Sequence, residues 1–413
     1  MNRNTIARRG LAFCLLSSVF CLLPIANAGD WPQFRGPGGA GVSDDTGLPT
    51  TWDVKAGTNV RWQADLPARG VSCPVVAKGK VYVTCCGGYR QDRLHVLCFD
   101  AATGKRLWER QFTATGSTNS HPKTSMAGPT PVTDGERVFA LFGTGDVAAL
   151  DSDGNLLWYR ALVRDYPTIT NQVGMAASPV LWKDVLLLPL ENAGDQSFAL
   201  ALDATTGKNR WKAERKRDIN WVTPLLRPLG DGAEVLFQSS NELTAYDVLT
   251  GEKRWAYKAA GLGTVPMPVA LDGLMLATGG ESAALRLPSQ NGEPEAVWTT
   301  NKLRSGYTTP TCYRKRVYAV NATFLNCVGA EDGKPAGAPI RLRGTFWASP
   351  VAGDGKIYVA NEEGTVFVVK VGDKPELVAT NPIGEEVIAT PAIADGALFL
   401  RTKEHLYCIA LKK

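Results

Sequence analysis

Three histidines are the natural starting point for metal or acid–base chemistry, and His95, His121 and His405 are scattered along the chain. They form no HxH or HExxH pair, so their spacing offers no zinc or haem site. No Gly-x-Ser-x-Gly elbow, phosphate loop or dinucleotide fingerprint is present. Glu191-Asn192, with Asp195 close by, brings carboxylate and amide oxygens together. Asn361-Glu362-Glu363-Gly364 and Asn241-Glu242 recur at similar points, which suits hairpin-turn chemistry equally well. Cys85-Cys86 can be a strained ring disulfide or two thiols ending a strand. A further set, His121, Asn171, Asn220, Trp221, Arg304, Tyr307, Phe346 and Trp347, lies just before short apolar strands. Its rings, arginine and amides suit a binding site; Trp221, Phe346 and Trp347 also suit a packed plug.

The elements that must position these residues form a repeat. Each unit opens on a small or hydroxyl residue before proline, at Pro74, Pro131, Pro179, Pro224, Pro268, Pro310, Pro350 and Pro391. Their spacing of roughly 40–57 residues is that of four-stranded propeller blades. Gly-containing turns follow, such as Lys78-Gly79-Lys80, Asp134-Gly135-Glu136 and Asp354-Gly355-Lys356, each leading into a β-branched or aromatic run. A third strand ends in an Asp-to-Gly turn at Asp100–Gly104, Asp151–Gly154, Asp203–Gly207 and Asp247–Gly251. A fourth carries Trp108, Trp158, Trp211, Trp255 or Trp298, a ring that can pack on the next blade. No tryptophan follows Asp332-Gly333 or Gly372-Asp373. Cys98, Cys327 and Cys408 align with Ala149, Ala201 and Ala245, a position that asks for a small buried side chain.

Asp100-Ala101-Ala102-Thr103-Gly104-Lys105-Arg106-Leu107-Trp108 and Asp203-Ala204-Thr205-Thr206-Gly207-Lys208-Asn209-Arg210-Trp211 resemble the tryptophan-docking repeat of the pyrroloquinoline-quinone-like (PQQ-like) propeller superfamily. Asp30-Trp31-Pro32-Gln33-Phe34-Arg35-Gly36-Pro37 is similar to the opening of its exported members, and the resemblance spans essentially residues 30–411. It implies an all-β fold: an eight-bladed propeller over 59–413, preceded by an N-terminal extension, 29–58. The last unit stops one strand short, and the Trp62 strand, Asn59 to Ala64, fits as the missing one. Closure of that kind removes exposed edges.

The resemblance leaves two functions open. One is a non-catalytic binding or scaffold propeller, similar to the propeller subunit of the outer-membrane β-barrel assembly machinery, with no cofactor. The other is a quinoprotein dehydrogenase, with PQQ over a Ca²⁺ ion; Glu191 and Asn192 would then be the metal ligands. The family's vicinal disulfide lies in a crossover loop before Asn-Arg-Gly, whereas Cys85-Cys86 precedes Gly87-Gly88-Tyr89, so that role does not transfer. The long crossovers, Phe112 to Gly128 and Ala161 to Ala177, share a face with the second-to-third strand turns. A protein partner or small-molecule ligand is expected there, on Asn171, Trp221, Arg304, Tyr307 and Trp347.

Residues 1–28 read as a signal peptide: Arg3, Arg8 and Arg9, an apolar stretch from Leu11 to Ile25, then Ala26-Asn27-Ala28 before cleavage at Gly29. The expectation is a periplasmic or secreted monomer with no transmembrane segment after maturation. The formal charge of +5 falls by three when the segment leaves, giving no electrostatic case for nucleic acid. Two of nine cysteines leave with it, and the odd number remaining cannot all pair internally.

Overall fold

The structure, a computed structural model, describes residues 29–169, 173–288, 292–372 and 374–412; the expected signal segment lies outside them. Eight four-stranded antiparallel sheets form, one for each proline-marked unit. Blades 1 to 7 span 75–113, 132–161, 180–214, 225–258, 269–300, 311–341 and 351–382. Blade 8 takes three strands from 392–410 and its outermost from Val60–Asp65. That strand runs against His405–Ala410, with Trp62 opposite Cys408 and Asp65 opposite His405. The ring is closed by its N-terminal strand, as the orphan Trp62 strand predicts.

The tryptophan motif acts between blades. The indole N–H of Trp62 donates to Ala101 O (2.9 Å), Trp108 to Ser152 O (3.0 Å), Trp158 to Ala204 O (2.8 Å), Trp211 to Val248 O (2.9 Å) and Trp298 to Ala330 O (3.2 Å). Each acceptor belongs to the next blade's third-to-fourth strand turn. The glycine of that turn lies flat on the same ring: a Cβ at Gly104, Gly154, Gly207, Gly251 or Gly333 would come within 2.5–2.8 Å of it. Trp255 departs, donating to Glu234 Oε2 in its own blade. The small third-strand residue is the tryptophan's cross-strand partner: Cys98 faces Trp108, Ala149 faces Trp158 and Ala201 faces Trp211. A larger side chain there would push the ring off its neighbour.

The residue before each blade's proline forms a second ring around the channel. The amide of Cys73 donates to Thr130 Oγ1, Thr130 to Ser178 Oγ, and Ser178 to Thr223 Oγ1. Met267 donates to Thr309 Oγ1, Thr309 to Ser349 Oγ, Ser349 to Thr390 Oγ1, and Thr390 back to Cys73 Sγ. Met267 carries no hydroxyl, so the chain of bonds is broken between blades 4 and 5.

Residues 30–54 lie across the ring on the face of the first-to-second strand turns. Trp31 bridges to Val76 of blade 1, and the Thr133 amide of blade 2 donates to Pro32 O. A Cβ at Gly39 would touch Met267 and Leu225. Arg35, fully buried, donates to Thr309 O, Pro310 O and Pro350 O of blades 6 and 7. Burial pulls its pKa down to about 9, which leaves it charged at neutral pH. Val42 then bridges to Ala352, and the Trp52 backbone amide donates to Asn381 Oδ1 of blade 7.

Candidate functional site

A cavity of about 110 Å³ lies on the propeller axis. Its wall is the ring of Cys73, Thr130, Ser178, Thr223, Thr309, Ser349 and Thr390. Trp221, Tyr307, Trp347 and Lys123 line it from the crossover side, and Phe34 of the crossing segment lines it from the other. The channel is thereby a pit with the crossing segment at one end and the crossover residues at the other.

The rim is a connected aromatic and charged cluster. Tyr307 stacks on Trp347 with centroids 4.0 Å apart and planes at 17°. His121 sits between Trp221 and Trp347, at 6.1 and 6.3 Å. The Lys123 amide donates to His121 Nδ1 (3.1 Å). Trp347 Nε1 donates to Glu362 Oε2 (2.7 Å), and Lys123 bridges Glu362 and Glu386. The bond to Glu362 raises the Lys123 pKa. Burial alone would raise the Glu362 carboxyl, but the bonds from Lys123 and Trp347 hold it below its ordinary value.

The expected site residues divide. Trp221, Tyr307 and Trp347 line the pit, and His121 touches two of them. Arg304 is exposed and outside the lining. Phe346 is buried against Phe367 between blades 6 and 7, neither plug nor rim. Asn220 turns inward and donates to Glu191 Oε2 (2.8 Å) and Gln238 O (2.7 Å). Asn171 lies outside the described residues. Composition around a loop cannot say which way each side chain turns; packing decides it. Lys123 and Glu362 were the residues missed. In sequence Glu362 reads as a turn residue, and nothing local ties it to Lys123, 239 residues away.

Glu191 and Asn192 do not make a calcium site. Arg215 Nε holds Glu191 Oε1 at 2.6 Å, and Asn220 Nδ2 and Ser239 Oγ hold Oε2 at 2.8 Å each. The Asn192 Nδ2 donates to Leu190 O and Gln196 O, and its Oδ1 accepts from the Gly194 amide, a local turn. A buried guanidinium on the carboxylate supplies the charge a cation would bring. Asp195 pairs with Arg217 at the surface. Among the described residues no group of three or more His, Cys, Asp and Glu could hold a metal ion. Glu191 and Asn192, with their oxygens already engaged in this way, do not fit the calcium ion of the PQQ reading. Cys85 and Cys86 are free buried thiols: Cys85 Sγ accepts from Arg401 (3.2 Å), while Cys86 Sγ meets Gln91 Oε1 (3.2 Å).

Fold and site define a closed eight-bladed PQQ-like propeller with a blind axial pit. A family described as "Outer membrane protein assembly factor BamB" matches residues 40–192 and 95–338, and the chain belongs to that family. No curated protein matches the sequence. Among solved structures, BamB from Moraxella catarrhalis aligns with a TM-score of 0.63 and 14% identity, over 86% of this chain and 97% of that one. A europium-containing methanol dehydrogenase gives 0.66 and 13%, over 93% and 98%. The quinohemoprotein alcohol dehydrogenase from Comamonas testosteroni gives 0.66 and 13%, over 94% and 82%. At such identities the likeness is one of fold, shared by BamB and by dehydrogenases.

Proposed function

We propose that the chain is a non-catalytic binding propeller of the cell envelope, exported through residues 1–28, that engages a protein partner on its crossover face. The observation that carries this reading is where the aromatic surface stands. Tyr307, stacked on Trp347, is 47% exposed at the mouth of the pit. Tyr89, at the tip of the long blade 1 hairpin on the same face, is 99% exposed. Aromatic side chains held outward on a rigid frame are the anchors of protein interfaces, and a shallow blind pit serves such an anchor better than it encloses a cofactor. Membership of the BamB family supports a protein partner. The dehydrogenase reading draws on likeness of fold, and the Glu191–Arg215 pair argues against its metal.

The test places a photo-crosslinking amino acid at Tyr89, at Tyr307 and, as a control on the opposite rim, at Leu249 in intact cells. A discrete crosslinked partner from the first two positions and none from Leu249 is the expected result. Crosslinking that is absent at Tyr307, or equal at Leu249, overturns the assignment of this face. In parallel, PQQ and Ca²⁺ are titrated into purified protein and followed by absorbance. Saturable, stoichiometric uptake would favour the enzyme.

A further inference from the structure

A second cavity, of about 230 Å³, opens between blades 8 and 1 beside the pit, sharing Val71, Lys123 and Ile388 with it. Four cationic side chains line it, Arg69, Lys123, Arg401 and Lys403, against one carboxylate, Glu386. Lys123 is held by both Glu386 and Glu362, so Arg69, Arg401 and Lys403 supply the chamber's positive charge.

Arg401 is the informative member. It is 1% exposed, and among the described residues its bonds go only to neutral acceptors: Ser72 O and Oγ, Thr84 O and Cys85 Sγ. The Cys85 thiol does not compensate it, since burial raises the pKa and keeps the sulfur protonated. Its Nε is buried with no hydrogen-bond partner among the described residues. The guanidinium occupies space left by Gly70, where a Cβ would come within 2.1 Å of Nη2. A buried cation with an unmet donor and no counter-ion is costly unless an anion completes it.

We propose that this chamber is a carboxylate-binding site, in which an incoming carboxylate meets Arg401 from within and Arg69 and Lys403 at the rim. The carboxylate could belong to a small dicarboxylic acid or to the C-terminus of a peptide; both fit the charge and the volume. The inference stands apart from the partner assigned to the axial pit, because it rests on different residues and is read with small probes.

The experiment is calorimetric titration of the full mature protein with glutarate, with N-acetyl-tetra-alanine bearing a free C-terminus, and with the same peptide amidated, at matched ionic strength. The expected result is saturable binding of at least one free carboxylate and none of the amide; the tighter probe identifies the source. Arg401→Lys tests the inner contact, but Arg401 also ties blade 8 to blade 1, so this variant can fail to fold. Lys403→Glu and Arg69→Gln, both at exposed positions, keep the question open to measurement. Loss of a charge-assisted bond should weaken binding about tenfold or more in each. No binding beyond that seen with chloride, equal binding of the amide, or affinity indifferent to both rim variants would overturn the proposal.

Discussion

Trp211 and Gly207 show what the repeat motif does atom by atom. Trp211 packs on Tyr246 of blade 4 (6.2 Å between centroids), covers Gly251 and donates to Val248 O, so Trp211→Ala removes packing and a buried bond together. A loss of about 3–5 kcal/mol is expected by urea unfolding. Trp211→Phe should retain most of the packing and lose only the bond. Gly207 is needed twice: its φ is +69°, and a Cβ would meet the Trp158 ring at 2.8 Å. Gly207→Ala should therefore cost about 1–3 kcal/mol, more than an ordinary turn glycine. The positive φ was legible from the Asp-to-Gly turn; the close approach was not, because the ring comes from the previous blade. At the rim, Trp221 is anchored by Nε1 to Gly174 O (3.0 Å), whereas the exposed Tyr307 is stacked on Trp347. Tyr307→Ala should leave the melting temperature nearly unchanged while reducing partner capture, and a fall in melting temperature as large as that of Trp211→Ala would make Tyr307 a packing residue.

The Asp-to-Gly turns are also electrostatic elements. Asp203 is held down to about 2, first by Arg210 and then by Thr206. Asp100 is lowered by Thr103, Asp151 by Asn155 and Asp332 by the Lys334 amide. A carboxyl whose folded pKa lies below the unfolded value of about 3.9 stabilises the fold above that pH and loses its contribution as pH falls through the folded value. Thermal stability from these turns should hold from neutrality to about pH 4 and decline toward pH 2. Asp203→Asn should flatten part of that decline, and an unaltered acid profile in this variant would remove the turn from the explanation. The closing strand makes a second prediction at this scale. Deleting residues 29–66 removes the partner of His405–Ala410 and bares its edge. Size-exclusion chromatography should show aggregation or unfolding; a monomer melting at the original temperature would disprove closure. This element was readable because a tryptophan strand stood without a blade at one end and a blade stood without a strand at the other.

For the molecule as a whole, blade number and closure were legible, since they follow from local motifs repeated at a fixed interval. The path of residues 30–54 was not, because that segment has no period and its partners are distributed around the ring. Arg35 carries much of this cross-bracing. Arg35→Met should cost about 3 kcal/mol or more, as several buried carbonyls in blades 6 and 7 lose their donor. Arg35→Lys should rescue little, because one ammonium cannot span the same acceptors; full rescue would show that charge alone matters. The cross-bracing also has a consequence in time. Arg35 meets Pro350 across 315 residues of sequence, so the crossing segment waits for blade 7 before it can settle. Contacts this distant form slowly. Until synthesis reaches blade 8, the growing polypeptide keeps an unpaired Trp62 strand and uncovered blade faces, an interval in which it depends on helpers or on speed to escape association with its neighbours.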